Sequence, residues 1–87
     1  MGRDIRIVVL QRGWVVVGEY WANGDARELR RASVIRRWGT TKGLGELVSG
    51  PLSSTVLDPC GSVRFHAFGE IMSIEVSESG WVAACPA

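Results

Sequence analysis

The chain has 87 residues, room for one domain. A chain this short buries only about two-thirds of its unfolded surface, so its stability is modest and association between copies is a natural supplement. Its hydrophobic fraction of 46% and charged fraction of 22% are those of a globular protein, no apolar run approaches the roughly 20 residues of a membrane helix, and Met1-Gly2-Arg3-Asp4 has no apolar stretch behind it, so a cytosolic protein is expected.

Ile5 to Leu10 is short and β-branched, a strand signal. Gln11-Arg12-Gly13 reads as a tight turn in which Gly13 supplies a positive φ. Trp14 to Trp21 is a second strand, rich in valine and aromatics, with Gly18 marking a bend. Asn23-Gly24-Asp25 is a hairpin signal. Residues 26–35 form a third strand whose apolar members, Leu29, Ala32, Val34 and Ile35, are spaced unevenly, as a bulge would space them.

Periodicity then lapses from Arg36 to Gly61, a stretch punctuated by seven glycines and prolines. Apolar anchors such as Trp38, Leu44, Leu47 and Leu57 argue for an ordered excursion, with at most one helical turn over Leu44 to Val48. Ser62 to Phe68 alternates as a fourth strand, Gly69 breaks it, and Glu70 to Val76 is a fifth with Met72, Ile74 and Val76 on one face. Ser77 to Ala87 is a tail that Trp81 could dock against a neighbour. Trp14, Tyr20 and Trp21 read as core or interface aromatics, and His66 as an outward or satisfied side chain.

The expected fold is therefore all-β: one domain over residues 1–87, with a small five-stranded barrel from strands within 5–35 and 62–76, a long ordered loop over 36–61 between strands three and four, and a tail over 77–87. Closure would remove the edges that five open strands expose. The order of signals is similar to the Sm family and to the bacterial RNA chaperone that shares its fold, an SH3/Sm-like barrel. Gly13 matches the hairpin glycine of that family, Gly18 the glycine of its curved second strand, and Val63–Phe68 with Ile71–Val76 the closing hydrophobic pair. No helix precedes Ile5 and the loop is much longer than in that family, so no RNA-binding residue is carried over.

The net charge of +1 conceals a dipole: residues 26–42 hold six basic residues against Glu28, a local +5, and residues 43–87 hold Arg64 against five acids, a local −4. That asymmetry suits an anionic partner or a self-complementary assembly, although Arg27, Arg30 and Arg31 could equally decorate an edge strand against aggregation. Within the loop, Arg36 and Arg37 offer planar forks for phosphate or carboxylate oxygens and Trp38 a stacking face. Gly39 and Gly43 let backbone amides turn inward as an anion nest, Thr40 and Thr41 add hydroxyls, and Lys42 adds a point charge. Glu46 and Asp58 could accept from a ribose or a base edge. Each group has a plainer reading: Arg36 and Arg37 could be pinned internally by Glu46 or Asp58, Trp38 could be the loop's apolar anchor, and the glycines could serve turns alone.

Lys42 lies between Thr41 and Gly43, which is not the Gly-Lys-Ser/Thr order of a phosphate-binding P-loop. One histidine and two cysteines without ligand spacing supply neither a Ser–His–Asp set nor a metal site, so no enzyme, metal or cofactor is expected.

Val34-Ile-Arg-Arg-Trp-Gly-Thr-Thr-Lys-Gly-Leu-Gly-Glu-Leu47, followed by Thr55-Val-Leu-Asp-Pro and Gly61, resembles a family of short bacteriophage and prophage proteins, over most of residues 5–76. The resemblance implies a viral accessory protein acting in the host cytoplasm and supplies no activity. Combined with the loop, it points to non-enzymatic binding of a small phosphorylated, nucleotide-like ligand by a homo-oligomer, sequestering a host immune signal. The alternatives are an Sm-like nucleic-acid-binding module and a protein-interaction or assembly piece; no membrane partner is implied.

Overall fold

A computed structural model of the chain describes residues 4–38, 44–52 and 54–81. Five strands account for most of it: β1 (Ile5–Leu10), β2 (Val15–Asn23), β3 (Ala26–Arg37), β4 (Val56–His66) and β5 (Glu70–Glu75). They form one antiparallel sheet in the order β4-β3-β2-β1-β5. Single turns of 3-10 helix follow β1 (Gln11–Gly13) and β4 (Ala67–Gly69), and another lies within the β3–β4 connection (Leu44–Leu47). One turn of α-helix, α1 (Glu78–Trp81), follows β5. The fold is all-β, as the alternation indicated; no helix among the described residues is long and apolar enough to cross a membrane.

The turn signals act as expected. Arg12 (φ 67°) and Gly13 (φ 79°) turn the chain between β1 and β2, closed by the Leu10 amide donating to the Trp14 carbonyl at 2.7 Å. Asn23 pairs with Ala26, which leaves Gly24-Asp25 as a two-residue hairpin loop, with Gly24 at φ 60° in the first turn position, where type II′ hairpins favour glycine. The bend at Gly18 and the irregularity of β3 are one feature. The β2–β3 register shifts between Val17 and Glu19, opposite Arg31, which adopts φ 53°. A Cβ at Gly18 would stand 3.0 Å from the Arg30 carbonyl oxygen, so the bulge brings the backbones to a spacing that a side chain would have to push apart by a few tenths of an ångström.

The sheet is strongly curled. Four strand spacings would separate the two edges of a flat sheet by roughly 19 Å. Yet β4 ends at His66 and β5 begins at Glu70 on the opposite edge, four residue steps that reach at most about 14 Å. The curl also brings Glu70 of β5 to Tyr20 of β2 (2.7 Å) and to Arg27 of β3 (3.9 Å). No backbone ladder joins β4 to β5 among the described residues.

Both faces of the sheet bury apolar side chains. Val8, Val16, Leu29 and Ala32 form one cluster, flanked by Leu10, Tyr20, Val34, Val63 and Phe65. The other holds Ile5, Ile7, Val15, Val17 and Ile35, and it is covered by Leu47 from the β3–β4 connection and Trp81 from α1. The covering pieces hold one another. The Trp81 indole nitrogen donates to the Leu47 carbonyl at 2.7 Å, and the Ser77 amide to the Val48 carbonyl at 2.7 Å. The Gly80 backbone packs so closely on Ser49 that a Cβ there would overlap the Ser49 carbonyl oxygen. Trp81 is fully buried in its own chain's core, which corrects the expectation that it docks on a neighbour.

Several boundaries also differ from expectation. The sheet takes up Arg36 and Arg37 at the end of β3 and residues 56–61 at the start of β4, so the connection spans only residues 38–55. Pro59 and Gly61 read as breakers in sequence. Here they lie on an edge strand, where a missing amide donor is tolerated, and beside register shifts, where Gly61 adopts φ 77°. Of the aromatics expected in the core or at an interface, Tyr20 packs against the core, whereas Trp14 and Trp21 are 58% and 50% exposed and lie outside it. His66 is exposed, with its Nδ1 accepting from the Phe68 amide at 3.0 Å.

Candidate functional site

The β3–β4 connection leaves the sheet through a defined mouth. Arg36 and Arg37 close β3, Trp38 follows, and Val56 opens β4 opposite Arg37. Thr55 fixes this mouth: its hydroxyl donates to the Trp38 carbonyl at 2.6 Å and accepts from the Leu52 amide at 3.0 Å. Its own amide donates to the Leu52 carbonyl at 3.0 Å. With Leu47 seated in the core beneath, the connection is anchored at both its rim and its centre.

Arg36 meets Asp58 across the ladder, Nε to Oδ2 at 3.0 Å, with both side chains at least half exposed. Arg37 has no carboxylate partner among the described residues and is exposed. Arg36, Arg37 and Val56 line a shallow groove of about 320 Å³, and Trp38, the residue after β3, is 41% exposed. Of the residues singled out in sequence, the structure thus brings Arg36, Arg37, Trp38 and Asp58 to one mouth, with Asp58 already holding Arg36. Gly39, Thr40, Thr41, Lys42 and Gly43 lie outside the described residues, as does the side chain of Glu46.

A second charged surface escaped the sequence reading. Trp21 of β2 pairs with Glu28 of β3, and Glu28 with Arg64 of β4, which sets the three side chains in a cross-strand row. The Arg30 guanidinium lies over the Trp21 ring, 4.3 Å from its centroid, and its Nε is 3.3 Å from the Glu28 carboxylate. Arg64 approaches the same carboxylate oxygen at 3.8 Å. These residues, with Arg27 and Phe65, line a groove of about 400 Å³. The signal available in sequence was the hairpin register: a two-residue turn at Gly24-Asp25 sets Trp21 opposite Glu28.

Between the two surfaces runs a network inside the curl. The Tyr20 hydroxyl donates to Glu70 Oε1 at 2.7 Å, and burial, reinforced by that bond, raises the tyrosine pKa above its usual value. Arg6 stacks over the Tyr20 ring, 4.2 Å from the centroid, and grips Asp4 through two 2.9 Å hydrogen bonds. The Asp4 bond raises the pKa of Arg6. Cys60, an exposed residue, donates to the Ala32 carbonyl at 3.4 Å, and partial desolvation of its sulfur pushes the thiol pKa up. Comparison with protein-family models, with curated proteins and with solved structures finds no match to this chain.

Proposed function

We propose that this protein is a non-enzymatic binder of a small phosphorylated, nucleotide-like ligand, taken at the mouth of the β3–β4 connection. The observation that carries the reading is Arg37: an exposed guanidinium without a carboxylate partner among the described residues, sharing a groove with Arg36, next in sequence to the exposed Trp38 whose carbonyl Thr55 holds. A planar guanidinium free of a carboxylate suits bidentate phosphate recognition, and the Trp38 ring suits a purine or pyrimidine face. The groove volume lies at the lower end of the range occupied by small-ligand sites. Thr40, Thr41 and Lys42 continue directly from this rim in sequence and add donors of the same kind.

The resemblance of the Val34–Leu47 segment to short phage proteins supports a setting in the host cytoplasm, where a homo-oligomeric sponge for a nucleotide signal would blunt an immune response. Association between copies would bring several mouths around one ligand. The test is thermal shift and calorimetry with a panel of cyclic and linear nucleotides. A stabilising ligand should be found, and Arg37→Ala should abolish its effect while leaving the unliganded melting temperature within about 4 °C, as expected of an exposed side chain. Absence of a shift with every adenosine-based and cyclic nucleotide in the panel overturns the reading.

A further inference from the structure

The cross-strand row on the β2–β3–β4 surface stands apart from the loop mouth and has its own chemistry. Its centre is Glu28, whose side chain is 19% exposed and whose charge is offset by Arg30 and Arg64. Arg27 lines the same groove, anchored through its Nη1 to the Gly24 carbonyl in the hairpin turn. Arg30 and Arg64 therefore face one carboxylate, while Arg27 turns its Nε toward Glu70, leaving the row net positive. Arg64 is 83% exposed and Arg30 48%, so both guanidiniums can turn from Glu28 to an incoming anion. Trp21 keeps half of its surface in solvent even with Arg30 stacked upon it.

We propose that this groove is a binding site for single-stranded nucleic acid. The Trp21–Arg30 pair forms a layered platform on which an unpaired base stacks, since aromatic rings and guanidinium planes both accept base faces. Arg30 and Arg64 converge on the same oxygen of Glu28, so the two guanidiniums can turn together to the phosphate that follows a stacked base. A duplex offers no free base face to the platform. An acidic peptide would satisfy the arginines and leave the exposed indole without a partner.

The test measures fluorescence anisotropy of labelled twelve-nucleotide single strands against the full chain across a salt series. Binding should weaken with salt. The Arg30→Ala/Arg64→Ala double variant should reduce the log–log slope by about 0.7, the loss of one phosphate contact to a single strand. Trp21→Ala should weaken affinity roughly tenfold, while the nucleotide-dependent thermal shift at the loop mouth persists. Both variants alter exposed side chains, and far-UV circular dichroism checks that each is folded; the arginine pair alone decides the matter should the tryptophan variant misfold. No binding at the lowest salt, unchanged affinity and slope in the arginine variant, equal affinity for a duplex of the same length, or equal competition by polyglutamate each overturns the proposal.

Discussion

Trp81→Ala is the sharpest perturbation of this fold. The indole is fully buried, joins Leu47 over the Ile5, Ile7, Val15, Val17 and Ile35 cluster, and donates its only polar hydrogen to the Leu47 carbonyl. Truncating a buried tryptophan costs about 3–5 kcal/mol through lost transfer energy and the cavity left behind. The Leu47 carbonyl keeps a second partner in the Gly50 amide at 3.1 Å, so the lost hydrogen bond adds little beyond this. A domain of this length holds about 4–13 kcal/mol in total, so the change removes a large share of stability and lowers Tm by more than about 12 °C. The measurement is urea denaturation followed by circular dichroism. Leu47→Ala alone should cost about 2–5 kcal/mol. Because the two side chains close one cavity, the double variant should fall short of additivity by about 0.5–3 kcal/mol. A cost below about 1 kcal/mol for Trp81→Ala, or strict additivity with Leu47→Ala, refutes the view that the connection and the C-terminal turn form a single cover.

Two further outcomes follow from the same contacts. Gly80→Ala should destabilise by about 1–3 kcal/mol because its Cβ meets the Ser49 backbone, whereas Gly45→Ala, which faces open space, should be neutral or slightly stabilising; thermal melts of the two variants check the contrast. Tyr20 has a folded pKa raised above that of the unfolded chain, so the contribution of its neutral hydroxyl is complete below about pH 10 and is lost as pH rises through the folded value. Tyr20→Phe should therefore cost about 0.5–1.5 kcal/mol at neutral pH and flatten the alkaline limb of the stability profile, as read from urea melts between neutral pH and pH 11.

The strands were legible wherever a local signal and the tertiary demand agreed. Ile5–Leu10 and Glu70–Glu75 follow their β-branched and alternating patterns, and Gly24 turns the hairpin that its neighbours announce. The start of β4 was illegible because Pro59 and Gly61 break a central strand but are harmless on an edge, and edge position depends on strand order, which no local window contains. Trp81 was illegible for a related reason. Its place in the core depends on a partner 34 residues earlier, Leu47, and on the absence of a side chain at Gly80. At the candidate site, the run of arginines and Trp38 stood out by composition. The pairing of Arg36 with Asp58 followed only from the β3–β4 register. The Trp21 surface was hidden differently: its members are scattered from residue 21 to residue 64, and three strands must pair before they form a row.

The Arg36–Asp58 pair bears on how a ligand could enter the loop mouth. Both side chains are largely exposed, and an ion pair of that kind contributes at most about 1 kcal/mol. A phosphate presented to a planar guanidinium makes two charge-assisted hydrogen bonds and carries more charge than one carboxylate, so it can displace Asp58 at small cost. In the unliganded protein the carboxylate keeps Arg36 extended along the ladder and holds the local charge low, which discourages adventitious anions. Under the proposed function Arg37, without such a partner among the described residues, supplies the first attraction at a rim where Thr55 holds the Trp38 carbonyl. The two arginines are adjacent in sequence yet differ in availability, because the β3–β4 register shifts between Ile35 and Arg37 and sets only Arg36 beside an acid. That division follows from the backbone alone, and under the proposed function it makes Arg37 the residue to test first.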